Sequence, residues 1–480
     1  MKQLLRKKWF RILARTVVVV TSVLVLAVTV FNWHAAKRKE RAITQAKAAK
    51  MVLSTGDLMT EMPPGELNFA RHGIFGLLED GLALPEKKRS TEQQDAIKRF
   101  QALGDEALMR DLNRKRGNTT GPVDFSFLPD DGSYGKTAAS FLAEYDRRHI
   151  AVLDEIRAGM RQPYVRRRAL PKDFAGGDGW VTLSEGQGFI TARVQRGLSL
   201  RTEAALATGD PVKAAESIEM ICRLGELTSS RGFLVSTLID FAGYRTIKSH
   251  VKRGMEQGIW TTEALDRISL AVARQDVRAR MIQGAATEAA MVHVFEAWKH
   301  DRKRIAPYLN AGYFGGKIDA EPGFLSRVAA EALPNGMFDR AAADQLDEIR
   351  EIISQIQNPA PALGWWKLAG EMKKRHEGRS GFSEVLSGDT AGASLLEIGS
   401  RTLVHRHLIL AACAIERHRL THGNYPDSLA VLPGEITADP ILGSSLLYER
   451  TGTTFRLYTP GPPLEDTETK SNRHAHDWAW

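Results

Sequence analysis

Eighteen consecutive residues without a charge, TVVVVTSVLVLAVTVFNW from Thr16 to Trp33, constrain this chain more than any other feature. As a helix rising 1.5 Å per residue the run covers about 27 Å, the thickness of one bilayer core. A buried core helix would leave unexplained the six basic residues ahead of it (Lys2, Arg6, Lys7, Lys8, Arg11, Arg15) and the four behind (Lys37, Arg38, Lys39, Arg41). A cleaved signal peptide would need small residues three and one before the cut, whereas the exit FNWHAAK is bulky and aromatic. Trp33 suits the headgroup level. The run predicts an uncleaved signal-anchor in a bacterial envelope, and the larger basic count ahead of it predicts a cytoplasmic N-terminus with the body periplasmic or otherwise outside the cytoplasm.

Net charge supports the same division. The chain carries +9, but residues 1–41 hold ten of its 66 Lys/Arg and one of its 57 Asp/Glu, leaving 56 against 56 in the rest. A nucleic-acid footprint would place the excess on a face of the folded body; here it flanks the apolar run, so no nucleic-acid partner is expected. Cys222 and Cys413 each sit in an apolar helical pattern and read as buried free thiols, with a bridge between them left open.

Beyond the anchor, residues 36–62 have strong helix formers and few apolar anchors, and read as a stalk. From Pro63 to Pro171 long loops (RGNTTGPVDFSFLPDDGSYG, RRRALPKD) surround a helical stretch near Thr137–Arg161. From Trp180 to Ala273 three helices follow in succession. Gly209 suits the residue after one helix, Asp210 the N-cap of the next and Pro211 its first turn, which makes a tight helical hairpin. Gly258 ends the helix after that and Thr261 starts another. This resembles stacked hairpins of the tetratricopeptide kind, without a 34-residue repeat. Helical pattern runs to Arg304, is interrupted by APYLNAGYFGGKIDAEPG, resumes over Gln345–Gln357, and ends in a long helix over Ala391–Thr421 with Val404, Leu408, Ala411 and Ile415 in one stripe.

After that helix the pattern changes. Gly423, YPDSL, the turn ADPILG, and the strands SLLYER and TFRLYT around TGT read as a small unit of helix plus β-hairpin. Gly423, Tyr425, Pro426, Asp439, Pro440, Gly443, Tyr448, Tyr458, Gly461, Asp477 and Trp478 stand in an order that resembles the C-terminal half of type II secretion major pseudopilins, over roughly the last 80 residues. In those proteins the unit continues directly from the N-terminal helix and follows a processing site; here about 360 residues intervene and no such site precedes Thr16. The whole chain resembles large membrane-anchored helical proteins of planctomycete and verrucomicrobial bacteria, a likeness that implies the architecture and no particular activity. The fold class is therefore mainly α, with an N-terminal transmembrane helix, an irregular stacked helical-hairpin body and a small C-terminal α+β module. The divisions are 1–35 (basic tail and anchor), 36–62 (stalk), 63–390 (body) and 391–480 (module).

The pseudopilin resemblance implies calcium in the acidic loop, where Glu465, Asp466, Glu468 and Asp477 offer carboxylates, although the glycines that let such a loop wrap a cation are missing and a solvated loop is the plainer reading. No other cofactor is expected. His418 and His422 share a helix face but lack the Glu of a zinc-protease motif. His474 and His476 lie near the C-terminus, and Arg166, Arg167 and Arg168 read as a solvated basic turn. The glycine-rich AGGDGWVTLSEGQGF lacks the Lys of a phosphate loop, and no nucleophile motif is present. These features predict an anchored envelope protein with a scaffolding or protein–protein interaction role and a protein partner in the envelope. The alternatives are an envelope hydrolase using a carboxylate pair, which needs no local motif, and a pseudopilin-like subunit of a secretion system.

Overall fold

A computed structural model of the protein describes residues 2–49, 51, 53, 63–82, 84, 86–104, 123–128, 134–166, 179–230, 234–307, 309, 321–377, 391–461 and 480. It is mainly helical. The first helix, α1 (Lys2–Ala48), is continuous, as a stretch free of Gly and Pro allows. From Thr16 to Val30 its side chains are exposed; beyond them Ala35, Ala42 and Ala46 are buried against the body. Residues 36–48, assigned from the sequence to a stalk, thus lie along the body as helix, and 54–62 fall outside the described residues.

Next come 3-10 turns at Gly65–Leu67 and Phe69–Arg71, then α2 (Ile74–Leu82), α3 (Thr91–Ala102) and α4 (Ala138–Met160). Ser90 with Gln93, and Thr137 with Ser140, form capping boxes that satisfy the first N–H groups of α3 and α4. Phe75 packs between Phe69 and Phe100 at ring distances of 4.3 and 5.7 Å, and the buried Tyr145 hydroxyl donates to the Leu103 carbonyl at 2.8 Å.

The central helices are α5 (Gly179–Ala207), α6 (Pro211–Ser229), α7 (Leu234–Glu256), α8 (Thr262–Ala273) and α9 (Val277–Glu288). Gly209 has φ 72° and Asp210 caps α6 by accepting from the Lys213 N–H at 2.9 Å. Trp260 packs against Gly254, where a Cβ would come within 2.3 Å of the ring, and its indole N–H donates to the Val251 carbonyl. The chain continues as α10 (Val292–His300), a 3-10 turn at Arg302–Arg304, α11 (Phe324–Ala332), α12 (Asn335–Gln357), α13 (Leu363–Glu377) and α14 (Ala391–His422).

The sequence expectation of an interruption reaching Gln345 is thereby corrected. α11 lies within that stretch, and α12 begins ten residues earlier than expected because Pro334 occupies its N-cap position. α14 carries the predicted stripe fully buried, yet Leu403, Ile409, Leu410, Ala412, Cys413 and Ala414 are buried too. Surrounded by α7, α8, α9 and α13, it is the centre of the core, and the stripe is only one of its sides.

A short α15 (Gly434–Thr437) leads to antiparallel β1 (Leu447–Thr451) and β2 (Thr454–Tyr458), in register from Leu447↔Tyr458 to Thr451↔Thr454 around Gly452 at φ 57°. Asp439 organises the turn before them: its carboxylate accepts from the Ile441 and Leu442 N–H groups at 2.8 and 3.2 Å. The Pro440 and Ile441 carbonyls then accept from Ala362 and Leu363 at 2.8 and 3.1 Å, which supplies partners for N–H groups at the start of α13.

Candidate functional site at the junction of the first helix and the body

The second half of α1 and α12 run parallel, joined from Asn32–Gly336 through Lys39–Asp339 to Gln45–Arg350. On α1 the bonded Asn32 and Lys39 and the buried Ala35, Ala42 and Ala46 are spaced alternately three and four apart, and on α12 so are the bonded Gly336, Asp339 and Arg350 with the buried Ala343 and Leu346. That spacing keeps one seam facing a partner helix. Small residues dominate it, so the backbones come close: a Cβ on Gly336 would stand 2.9 Å from the Asn32 Cα.

Charge fixes the register. Asp339, whose side chain is 3% exposed, accepts from Lys39 of α1 and from Lys299 of α10, the latter at 2.9 and 3.0 Å. Lys39 also reaches Glu296, and Arg38 pairs with Asp344 at 2.6 Å. Two lysines on one buried carboxylate hold three helices together, and removing that carboxylate would take from Lys299 its ion pair and leave Lys39 with Glu296 alone.

A cleft of about 570 Å³ opens beside this junction. Four carboxylates of α12 face it, Asp344, Asp347, Glu348 and Glu351, spaced to share one side of the helix. Each is paired: Asp344 with Arg38, Asp347 with Arg350 at 3.0 Å, Glu351 with Arg375 at 3.0 Å, and Glu348 with His376 at 3.2 Å. Alternating paired charges make a surface suited to polar contacts with a partner.

A carboxyl with a raised pKa lines a separate cavity. Glu288 lines a cavity of about 40 Å³ between α9, α12 and α14, where burial, opposed by the Leu234 N–H, pushes its pKa up to about 7. Glu348 lines the same cavity, but the space admits about one water rather than a polymer substrate. A second constellation has the order of an acyl-transfer triad: the His250 Nε2 lies 2.8 Å from the Ser199 hydroxyl and its Nδ1 lies 3.1 Å from Glu203. Ser199 and Glu203 are one turn apart inside α5, where the backbone N–H groups are engaged by the helix and form no oxyanion site. Arg253 also holds Glu203. The group acts as a buried ion network tying α5 to α7, as Arg201 does between α4 and α6 through Asp146 (2.6 Å) and Glu216 (3.0 Å).

The four calcium candidates, Glu465, Asp466, Glu468 and Asp477, lie outside the described residues, as do His474, His476, Arg167 and Arg168. Among the described residues no group of three His, Cys, Asp or Glu side chains is arranged to hold a metal. His418 and His422 stack at 4.1 Å, and the His422 Nδ1 donates to the His418 carbonyl in the last turn of α14. Cys222 and Cys413 are buried free thiols whose pKa burial raises. Sequence reasoning missed Lys39, Asp339 and Gly336; the repeated three-four spacing was the available signal.

Fold and junction together define a helical body mounted on a long N-terminal helix, and among the described residues this helix alone is long and apolar enough to cross a membrane. No protein-family model matches the chain, and neither a curated protein nor a solved structure matches it.

Proposed function

We propose that the chain is a single-pass envelope protein, spanning the membrane with residues 16–33 from a cytoplasmic N-terminus, whose body of stacked helical hairpins is a scaffold for protein partners rather than a catalyst. The observation that carries this reading is the seam between α1 and α12. A loosely tethered enzyme needs only a linker, whereas here the apolar helix is continued into the body and locked there by Lys39, Asp339 and Gly336. Such a mount sets the height and orientation of the body above the bilayer, a requirement of assembly more than of turnover. The C-terminal unit, with the pseudopilin-like order of residues noted above, adds a second surface at the far end of α12.

The test is the mass of the complex recovered from gently solubilised membranes. A stoichiometric second protein, lost when the Arg38 and Arg350 side of the cleft is reversed in charge, supports the scaffold. Recovery of the chain alone at its own mass contradicts it.

A further inference from the structure

α11 is amphipathic in the inverse sense for a helix packed on a soluble body. Its buried side carries the small Ser326 and Ala330, each 1% exposed, while Phe324, Leu325 and Val328 are 78%, 64% and 49% exposed. At 100° per residue those three fall within one arc of about 100°, opposite the buried pair. Elsewhere on the described body exposed apolar side chains such as Val212, Leu270 and Val431 stand singly, whereas Phe324, Leu325 and Val328 form one contiguous face, and such a patch has a particular address.

That address is fixed by the chain itself. Ala332 ends α11, and four residues later Gly336 donates its N–H to the Asn32 side chain at 2.7 Å, where α1 leaves its exposed apolar run. Four residues reach at most about 14 Å, and the helix itself is about 13 Å long. α11 also packs against the Arg302–Arg304 turn, whose Arg302 bonds Asn335 and whose Lys303 is exposed. Apolar side chains and basic residues thus sit together at the level of Trp33, the combination found in helices lying in a membrane interface.

We propose that α11 lies in the headgroup layer of the bilayer that α1 crosses, with Phe324, Leu325 and Val328 inserted among the acyl chains and the Arg302–Arg304 turn beside the lipid phosphates. This rests on the membrane reading of α1. The protein then meets the bilayer at two points, a span and a surface helix joined by the start of α12, and cannot swivel about the span.

The experiment uses the full-length chain in phospholipid vesicles, with Cys222 and Cys413 replaced by Ala and one fluorophore attached at Leu325→Cys, Val23→Cys or Val431→Cys. Val431 is exposed in the C-terminal unit, which is bonded to the start of α13 beyond the far end of α12, about 33 Å along that axis from Asn335. Lipids brominated on the acyl chain are expected to quench the labels at 325 and 23 about twofold or more and to leave that at 431 unchanged. Quenching at 23 but not at 325 overturns the surface helix while the span stands. Quenching at neither overturns the span. A label at 325 shielded from both brominated lipid and aqueous iodide means that a protein covers this face, and also overturns the proposal.

Discussion

The backbone N–H of Gly336 donates to the side-chain oxygen of Asn32 over 2.7 Å, across 304 residues of sequence. Two elements far apart in the chain are thereby brought to one level, and Lys39–Asp339 repeats the link a turn or two further along. Closing so long a loop carries an entropic cost, which the packing of the intervening body offsets.

Gly336→Val is expected to separate α1 from α12, because a Cβ there would stand 2.8 Å from the Asn32 side-chain oxygen and 2.9 Å from its Cα. Overpacking of this kind costs about 1–3 kcal/mol. Asn32→Ala removes only the hydrogen bond and is expected to cost about 1 kcal/mol. Thermal unfolding of the full-length protein in detergent distinguishes the two.

Asp339→Ala is expected to destabilise by about 3–5 kcal/mol, since it removes the buried ion pair of Lys299 and leaves Lys39 with Glu296 alone. Lys39→Met leaves Asp339 paired with Lys299 and is expected to cost much less. The double variant recovers part of the loss, a coupling read from a mutant cycle by denaturant unfolding.

His407 ties α14 to the C-terminal unit: its Nδ1 donates to the Ala438 carbonyl at 3.0 Å, and burial together with the Arg406 charge pulls its pKa down to about 4. The unfolded chain titrates near 6.5. As pH falls between these values the unfolded state takes up a proton that the folded state refuses, so stability is lost through that window, by up to about 3 kcal/mol. His407→Gln keeps a donor without a charge. Its unfolding free energy is expected to change less between pH 7 and 4.5 than that of the unaltered chain.

Glu288 has the opposite sign. Its folded pKa of about 7 lies above the ordinary carboxylate value, so the folded state holds a proton that the unfolded state releases, and stability falls as pH rises from about 4.5 to 7. Glu288→Gln is expected to gain about 1–3 kcal/mol over the unaltered chain at pH 8 and nothing at pH 4, measured by urea unfolding at both.

Local chemistry was legible and distant pairing was not. Asp210 and Pro211 announce their turn because a cap is a contact between neighbours in sequence, and Gly423, Asp439 and the Tyr448–Tyr458 strands do so for the same reason. The seam was hidden because Ala35, Ala42 and Ala46 carry almost no hydropathy signal, and because Lys39 reads as a solvated charge until Asp339 is placed beside it. α11 escaped although FLSRVAAEAL has helical spacing of its own, because it is short and follows directly on the interruption ending at Gly323. Of the candidate sites, the acidic loop lies outside the described residues, while the carboxylates that do face a cleft sit on α12, where Asp344, Glu348 and Glu351 awaited Arg38, His376 and Arg375 from other elements.

The central claim is that residues 16–33 cross a bilayer and remain covalently joined to the body they hold. The intact mass of the protein produced in a bacterial host, taken from the membrane pellet after an alkaline carbonate wash, tests it most directly. The account expects a full-length chain that retains Thr16–Trp33, present in the pellet. A soluble chain shortened by cleavage beyond Trp33, or a full-length chain released into the cytosolic supernatant, would contradict it.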